Sequence, residues 1–158
     1  MAKHILSVLV QNHPGVLSKV SGLFSRRGFN IESLAVGTAE TPDHSRMTII
    51  VDGDEYTVDQ VSKQLNKLID VVRIELLHKN ESVERELVLI KVKAPSQSRS
   101  EIIQTAEIFR AKIVDVSQNT LTLEITGQAD KVGAFINMLL PFGITEIIRT
   151  GMIAIPRG

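Results

Sequence analysis

The stretch of this chain best suited to chemistry is Asn12-His13-Pro14-Gly15, set between an apolar run and a segment with apolar residues at helical spacing. An Asn amide carries two N–H donors and one carbonyl acceptor. Gly15 adds no side chain and lets another group approach the backbone closely. Pro14 suits the first turn of a helix, where its missing N–H costs nothing. The free N–H groups of a first helical turn carry partial positive charge and attract a carboxylate or phosphate. Asn, Pro and Gly also serve plain turn geometry. The chemistry this stretch supports is recognition of an anion, with no bond making or breaking.

The rest of the chain offers little to a catalyst. The four His, at 4, 13, 44 and 78, show no paired metal-ligand spacing. His13 is the only one in a suggestive place, and no nucleophile or orienting acid is identifiable beside it. His4 and His78 fall near the ends of apolar runs, where exposure or local hydrogen bonding accounts for them. Asp52, Asp54 and Glu55 cluster at a turn and helix start, which capping explains better than paired acid–base catalysis. No GxxxxGK[ST] and no strand-linked GxGxxG occurs. There is no Cys, which excludes disulfides, thiolate metal sites and cysteine nucleophiles.

Composition narrows the partners. Lys plus Arg number 18 and Asp plus Glu number 18, so no net charge draws the chain to nucleic acid or an anionic membrane. Arg26-Arg27 is too short a basic run to change that. Tyr56 and five Phe are the only aromatics, too few for base stacking. The N-terminus runs straight into an apolar strand without a signal sequence. No apolar run approaches the roughly 20 residues that span a bilayer. Together with the missing Cys, these features predict a soluble cytoplasmic binding module with no catalytic residue and no metal site.

The elements that must position Asn12 to Gly15 follow from hydrophobic period. Ile5 to Val10 is a continuous apolar run and reads as a buried strand. Val16, Leu17, Val20, Leu23 and Phe24 give a helix, stopped by Arg26-Arg27-Gly28. Asn30 to Val36 reads as a strand, and Glu40 to His44 as a turn. Met47, Ile49 and Val51 alternate with Thr48, Ile50 and Asp52 in a third strand that should be half buried. Val58, Val61, Leu65, Leu68 and Ile69 mark a second helix, capped by Asp54 or Thr57. Val71 to Leu77 is a fourth strand. The order is βαββαβ, the ferredoxin-like split unit.

The same order then repeats. Glu86 to Val92 is a strand, and Ser98 with Glu101 has capping-box spacing at the start of a helix through Ile102, Ala106 and Phe109. Ile113 to Val116 is a short strand, and Leu121, Leu123 and Ile125 alternate with Thr122, Glu124 and Thr126. A helix carries Val132, Phe135, Ile136, Leu139 and Leu140. Ile144 to Ile148 is the last core strand, with a tail at Met152 to Ile155. The reading is α+β: two tandem ferredoxin-like βαββαβ domains, residues 1–78 and 84–158, joined by a linker at 79–83.

Specific runs carry a resemblance. Asn12-x-Pro14-Gly15-Val16-Leu17, the run from Gly22 to Leu34, and Ser45-Arg46-Met47-Thr48 resemble the ACT domain of the small regulatory subunits of acetolactate synthase (acetohydroxyacid synthase). Val83 to Leu87 and Ala106 to Val116 resemble the C-terminal domain of the same family. The resemblance implies a non-catalytic subunit that activates a catalytic large subunit and makes it sensitive to valine, in branched-chain amino-acid biosynthesis. Thiamine diphosphate, Mg and FAD are then expected on the catalytic partner, with no cofactor here. It also implies a homodimer through ACT domains, with valine between the turn of one copy and the second-strand start of the other. The positions carried over are Asn12, Gly15, Val16, Leu17, Asn30 and Ile31. The competing reading is a stand-alone tandem-ACT amino-acid sensor or transcriptional regulator, which should carry a helix-turn-helix or basic face. An enzyme of ferredoxin-like fold comes third.

Overall fold

The computed structural model describes residues 2–158. The chain forms two compact units, each with its own apolar core. The first runs through Glu84 and takes back Met152–Gly158; the second is Arg85–Gly151. A division at 79–83 into two consecutive domains therefore differs from this one at the C-terminal segment, which returns to the first unit.

In the first unit, β1 (Lys3–Gln11), α1 (Val16–Arg27), β2 (Ile31–Thr38), β3 (His44–Asp52), α2 (Glu55–Asn66) and β4 (Val71–Leu77) follow in that order. The sheet order is β2-β3-β1-β4, antiparallel throughout. Leu6, Val8 and Val10 of β1 meet Met47, Ile49 and Val51 of β3 on the face beneath the helices. Val16, Val20, Leu23 and Phe24 of α1 and Val58, Val61 and Leu65 of α2 complete the core. The 3.6-residue period of these positions is what forces both helices onto one face of the sheet.

β3 is half buried, as its alternation predicts. Ser45, Met47, Ile49 and Val51 are buried on one face, while on the other His44, Arg46, Ile50 and Asp52 are partly exposed and only Thr48, 4% exposed, is buried.

Helix ends obey local rules with two exceptions. Gly28 closes α1 in the left-handed conformation after Arg26 and Arg27. Asp54 caps α2 by accepting from the Thr57 N–H at 2.8 Å, so Asp54 is the cap and Thr57 its donor. Pro14 is not in the first turn of α1: the helix begins at Val16, with Gly15 as N-cap at φ +89°. In the second unit the helix begins at Ser96 with Pro95 as N-cap, so Ser98 lies inside the helix and makes no capping box.

The second unit holds most of β5 (Ser82–Lys93), then α3 (Ser96–Ile108), β6 (Lys112–Val116), β7 (Thr120–Gly127), α4 (Ala129–Leu139) and β8 (Ile144–Arg149). Its strand order, β6-β7-β5-β8, matches the first unit position for position. The last strand, β9 (Ile153–Pro156), pairs β5, and beyond it the Arg157 N–H donates to the Glu81 carbonyl at 2.7 Å. Met152, just before β9, is 4% exposed.

The repeat extends to single bonds. Gln11 N–H donates to the Asp70 carbonyl in the first unit, as Lys93 N–H does to Gly143 in the second. Asn12 N–H donates to Asp43, as Ala94 N–H does to Asn119, both at 2.8 Å. Arg110 takes the left-handed place of Gly28, at φ +58°. Among the described residues, no helix is long and apolar enough to cross a membrane.

Candidate functional site

The turn from Asn12 to Gly15 leaves β1 at the sheet end where the β2–β3 turn and the α2–β4 loop also lie. Two bonds from Asn12 fix the first of these neighbours. Its N–H donates to the Asp43 carbonyl, and its Nδ2 donates to the Pro42 carbonyl at 2.8 Å. The side-chain amide thereby keeps its Oδ1 as an acceptor facing away from that bond.

Gly15 adopts a backbone conformation that side chains rarely take, and a Cβ built there would meet nothing within 4 Å. The turn needs Gly for its φ, and the space beside it is open. The first intrahelical bond runs from Lys19 N–H to the Gly15 carbonyl. The N–H groups of Val16, Leu17 and Ser18 precede that ladder and have no partner within the helix. They form the positive end of α1.

The six sequence-derived positions divide by what they present. Asn12 and Gly15 are exposed, and Leu17 is 46% exposed. Val16 is 3% exposed and packs in the core, so it offers a backbone N–H and no apolar wall. Asn30 is exposed just before β2, and Ile31 is partly buried against the core. Within one chain the turn and the β2 start are separate surfaces.

Sequence reasoning missed the α2–β4 loop. Asp70 is 7% exposed and sits 3.0 Å from His13 Nε2 and 2.8 Å from Lys19 Nζ. His13 does have an acid beside it, 57 positions away in the chain and invisible to any local pattern. The hydrogen bond from Lys19 holds the Asp70 carboxyl below its ordinary range, against the opposing effect of burial; the charges of Lys19 and His13 add to it. Among the described residues, no three His, Cys, Asp or Glu stand together as metal ligands would.

The matching corner of the second unit is closed by its own side chain. Arg99 Nη2 donates to the carbonyls of Ala94, Ser117 and Gln118 at 2.9, 2.7 and 3.0 Å. That guanidinium ties the helix to the β6–β7 turn at the corner that Asn12 ties in the first unit.

The strand order, the repeated unit and the open turn define a pair of ferredoxin-like domains, the first of ACT type. Residues 6–73 match the model of the AHAS small subunit-like ACT domain, and residues 85–158 match that of the small subunit of acetolactate synthase. The chain is 56% identical to the probable acetolactate synthase small subunit of Archaeoglobus fulgidus, over 99% of this chain and 98% of that one. It is 53% identical to the acetolactate synthase small subunit of Mycobacterium bovis, over 98% and 92%. The crystal structure of the acetolactate synthase small subunit from Thermotoga maritima superposes with a TM-score of 0.93 at 48% identity, covering 100% of this chain and 99% of that one. The chain belongs to the small-subunit family of acetolactate synthase. Membership in a small-subunit family implies a catalytic partner subunit.

Proposed function

We propose that this chain activates the catalytic subunit of acetolactate synthase and makes it subject to feedback inhibition by valine, working in the cytoplasm and performing no chemistry itself. Thiamine diphosphate, Mg and FAD belong to the catalytic partner in this reading. The observation that carries the effector half is the open N-terminus of α1 in the first unit, beside an Asn12 whose amide is already half committed.

Valine brings a carboxylate, an ammonium and a branched side chain. The N–H groups of Val16 and Leu17 suit the carboxylate. Asn12 Oδ1 suits the ammonium, with the amide held in place by one Nδ2 N–H to the Pro42 carbonyl. Leu17 supplies exposed apolar surface on the same helix end. Asn30 and Ile31 enter from a second copy, with β2 at the sheet edge available for pairing. The second unit, with its corner filled by Arg99, is left for activation and docking.

Mixing the chain with purified catalytic subunit and sedimenting the mixture tests the reading. Co-sedimentation with a raised acetolactate-forming rate is expected. Two species that sediment independently, at an unchanged rate, would favour the stand-alone sensor.

A further inference from the structure

Asp70 is tied to the turn in a way the fold itself does not require. Both units need a backbone carbonyl where the loop enters the last core strand, to accept from the end of the first strand; Asp70 and Gly143 supply it. The second unit manages with a Gly, which has no side chain to offer. It also has Pro95 after Ala94, where the first unit has His13 after Asn12. Only the unit with the open turn adds a carboxylate, an imidazole and an ammonium around that shared bond. From Asp70, one backbone bond and two ion pairs reach Gln11, His13 and Lys19. These three residues lie on the strand, the turn and the helix that together frame Gly15.

We propose that Asp70 is the positioning residue of the effector turn, holding it through His13 and Lys19 in the geometry that binds the effector. The inference rests on the effector reading above and deepens it. Asp70 touches no effector: it holds positions 13 and 19, on either side of the N–H groups of Val16 and Leu17, in one geometry. Its charge also cancels cations that would otherwise attract a carboxylate. If charge alone mattered, removing it would tighten effector binding; if positioning matters, removing it weakens binding.

The two carboxylate oxygens of Asp70 serve separate partners: Oδ1 lies 3.0 Å from His13 Nε2 and Oδ2 lies 2.8 Å from Lys19 Nζ. An amide in its place keeps one acceptor and loses the other, so one side of the clamp must open. His44, whose Nδ1 lies 3.3 Å from Thr41 Oγ1, stands outside the clamp and serves as a control.

Calorimetry of valine binding to the full chain tests this, with circular dichroism as the folding control. Asp70→Asn should bind valine at least about fivefold more weakly than wild type, the loss of one hydrogen bond. Asp70→Glu, which keeps both oxygens, should recover most of that loss, and His44→Gln should bind as wild type does. Wild-type or tighter binding by a folded Asp70→Asn protein, or no recovery in Asp70→Glu, would overturn this inference alone. A wild-type chain that binds no valine would remove the effector reading and this inference with it.

Discussion

Met152 donates its backbone N–H to Ser33 Oγ at 2.9 Å, across 119 positions of the chain. Ser33 lies on β2, two residues beyond Ile31. The chain completes its second unit and then returns to brace the strand that is proposed to meet the effector. A fragment ending near Asn80 would look like a whole ACT domain in sequence but would lack this brace, β9 and the buried Met152.

Ending the full chain at Gly151 should therefore destabilise the first unit. Full burial of a Met side chain is worth about 1.5–3 kcal/mol. In a domain of this size 1 kcal/mol shifts Tm by roughly 4–8 °C. A drop of about 5 °C or more in the first-unit transition, followed by circular dichroism, is expected. An unchanged Tm would show that the C-terminal strand contributes nothing.

Gly15 calls for a paired substitution. Its φ of +89° means that any side chain introduces strain, on the order of 1–3 kcal/mol. Asn and Asp tolerate this region best and are nearly the same size, so their difference isolates charge. Two like charges at about 4 Å repel by roughly 4 kcal/mol at an effective dielectric near 20. Even half of that exceeds tenfold in affinity. Gly15→Asp should bind valine at least about tenfold more weakly than Gly15→Asn; equal affinities would take the carboxylate away from this turn.

The acid limb of the stability curve should depend on Asp70. Its folded-state pKa is depressed below the ordinary 3.8. The sign is thus that of a carboxylate stabilising the fold above the unfolded value. That contribution is complete at neutral pH and lost as pH falls through the folded value. Urea midpoints for Asp70→Asn and wild type should differ at pH 7 and converge in strong acid. Parallel curves across that range would mean the ion pairs add no stability.

The architecture was legible because it is local. Gly28 after two Arg, Asp54 before a periodic run, and the alternation in β3 and β7 each set an element through neighbours a few residues apart. The site was legible only in part. Asn12 and Gly15 stand out by type, but Pro42, which holds the Asn12 amide, lies 30 positions from it, and Asp70, which meets Lys19 beyond Gly15, lies 51 positions from that lysine. Nothing in residues 66–72 marks Asp70 as more than a loop acid. Val16 lies in the core that its helical period predicts, so what it presents at the turn is its backbone N–H.

A second copy should complete the site. β2 is an edge of the first sheet, and Asn30 with Ile31 opens it. Sedimentation at micromolar concentration is expected to give a dimer in the presence of valine. A monomer with full valine affinity would place the whole site within one chain.

Activity of the reconstituted holoenzyme against valine concentration tests the central claim most directly, with wild type beside Asn12→Ala. Asn12 contributes one anchor to Pro42 and one proposed acceptor to the ammonium, and losing such bonds costs about 1–3 kcal/mol, or roughly 5- to 150-fold in affinity. Wild type should raise the catalytic rate and surrender it as valine rises. Asn12→Ala should raise the rate equally and need far more valine to lose it. An Asn12→Ala subunit that confers wild-type inhibition, or a wild-type subunit that confers none, would contradict the account.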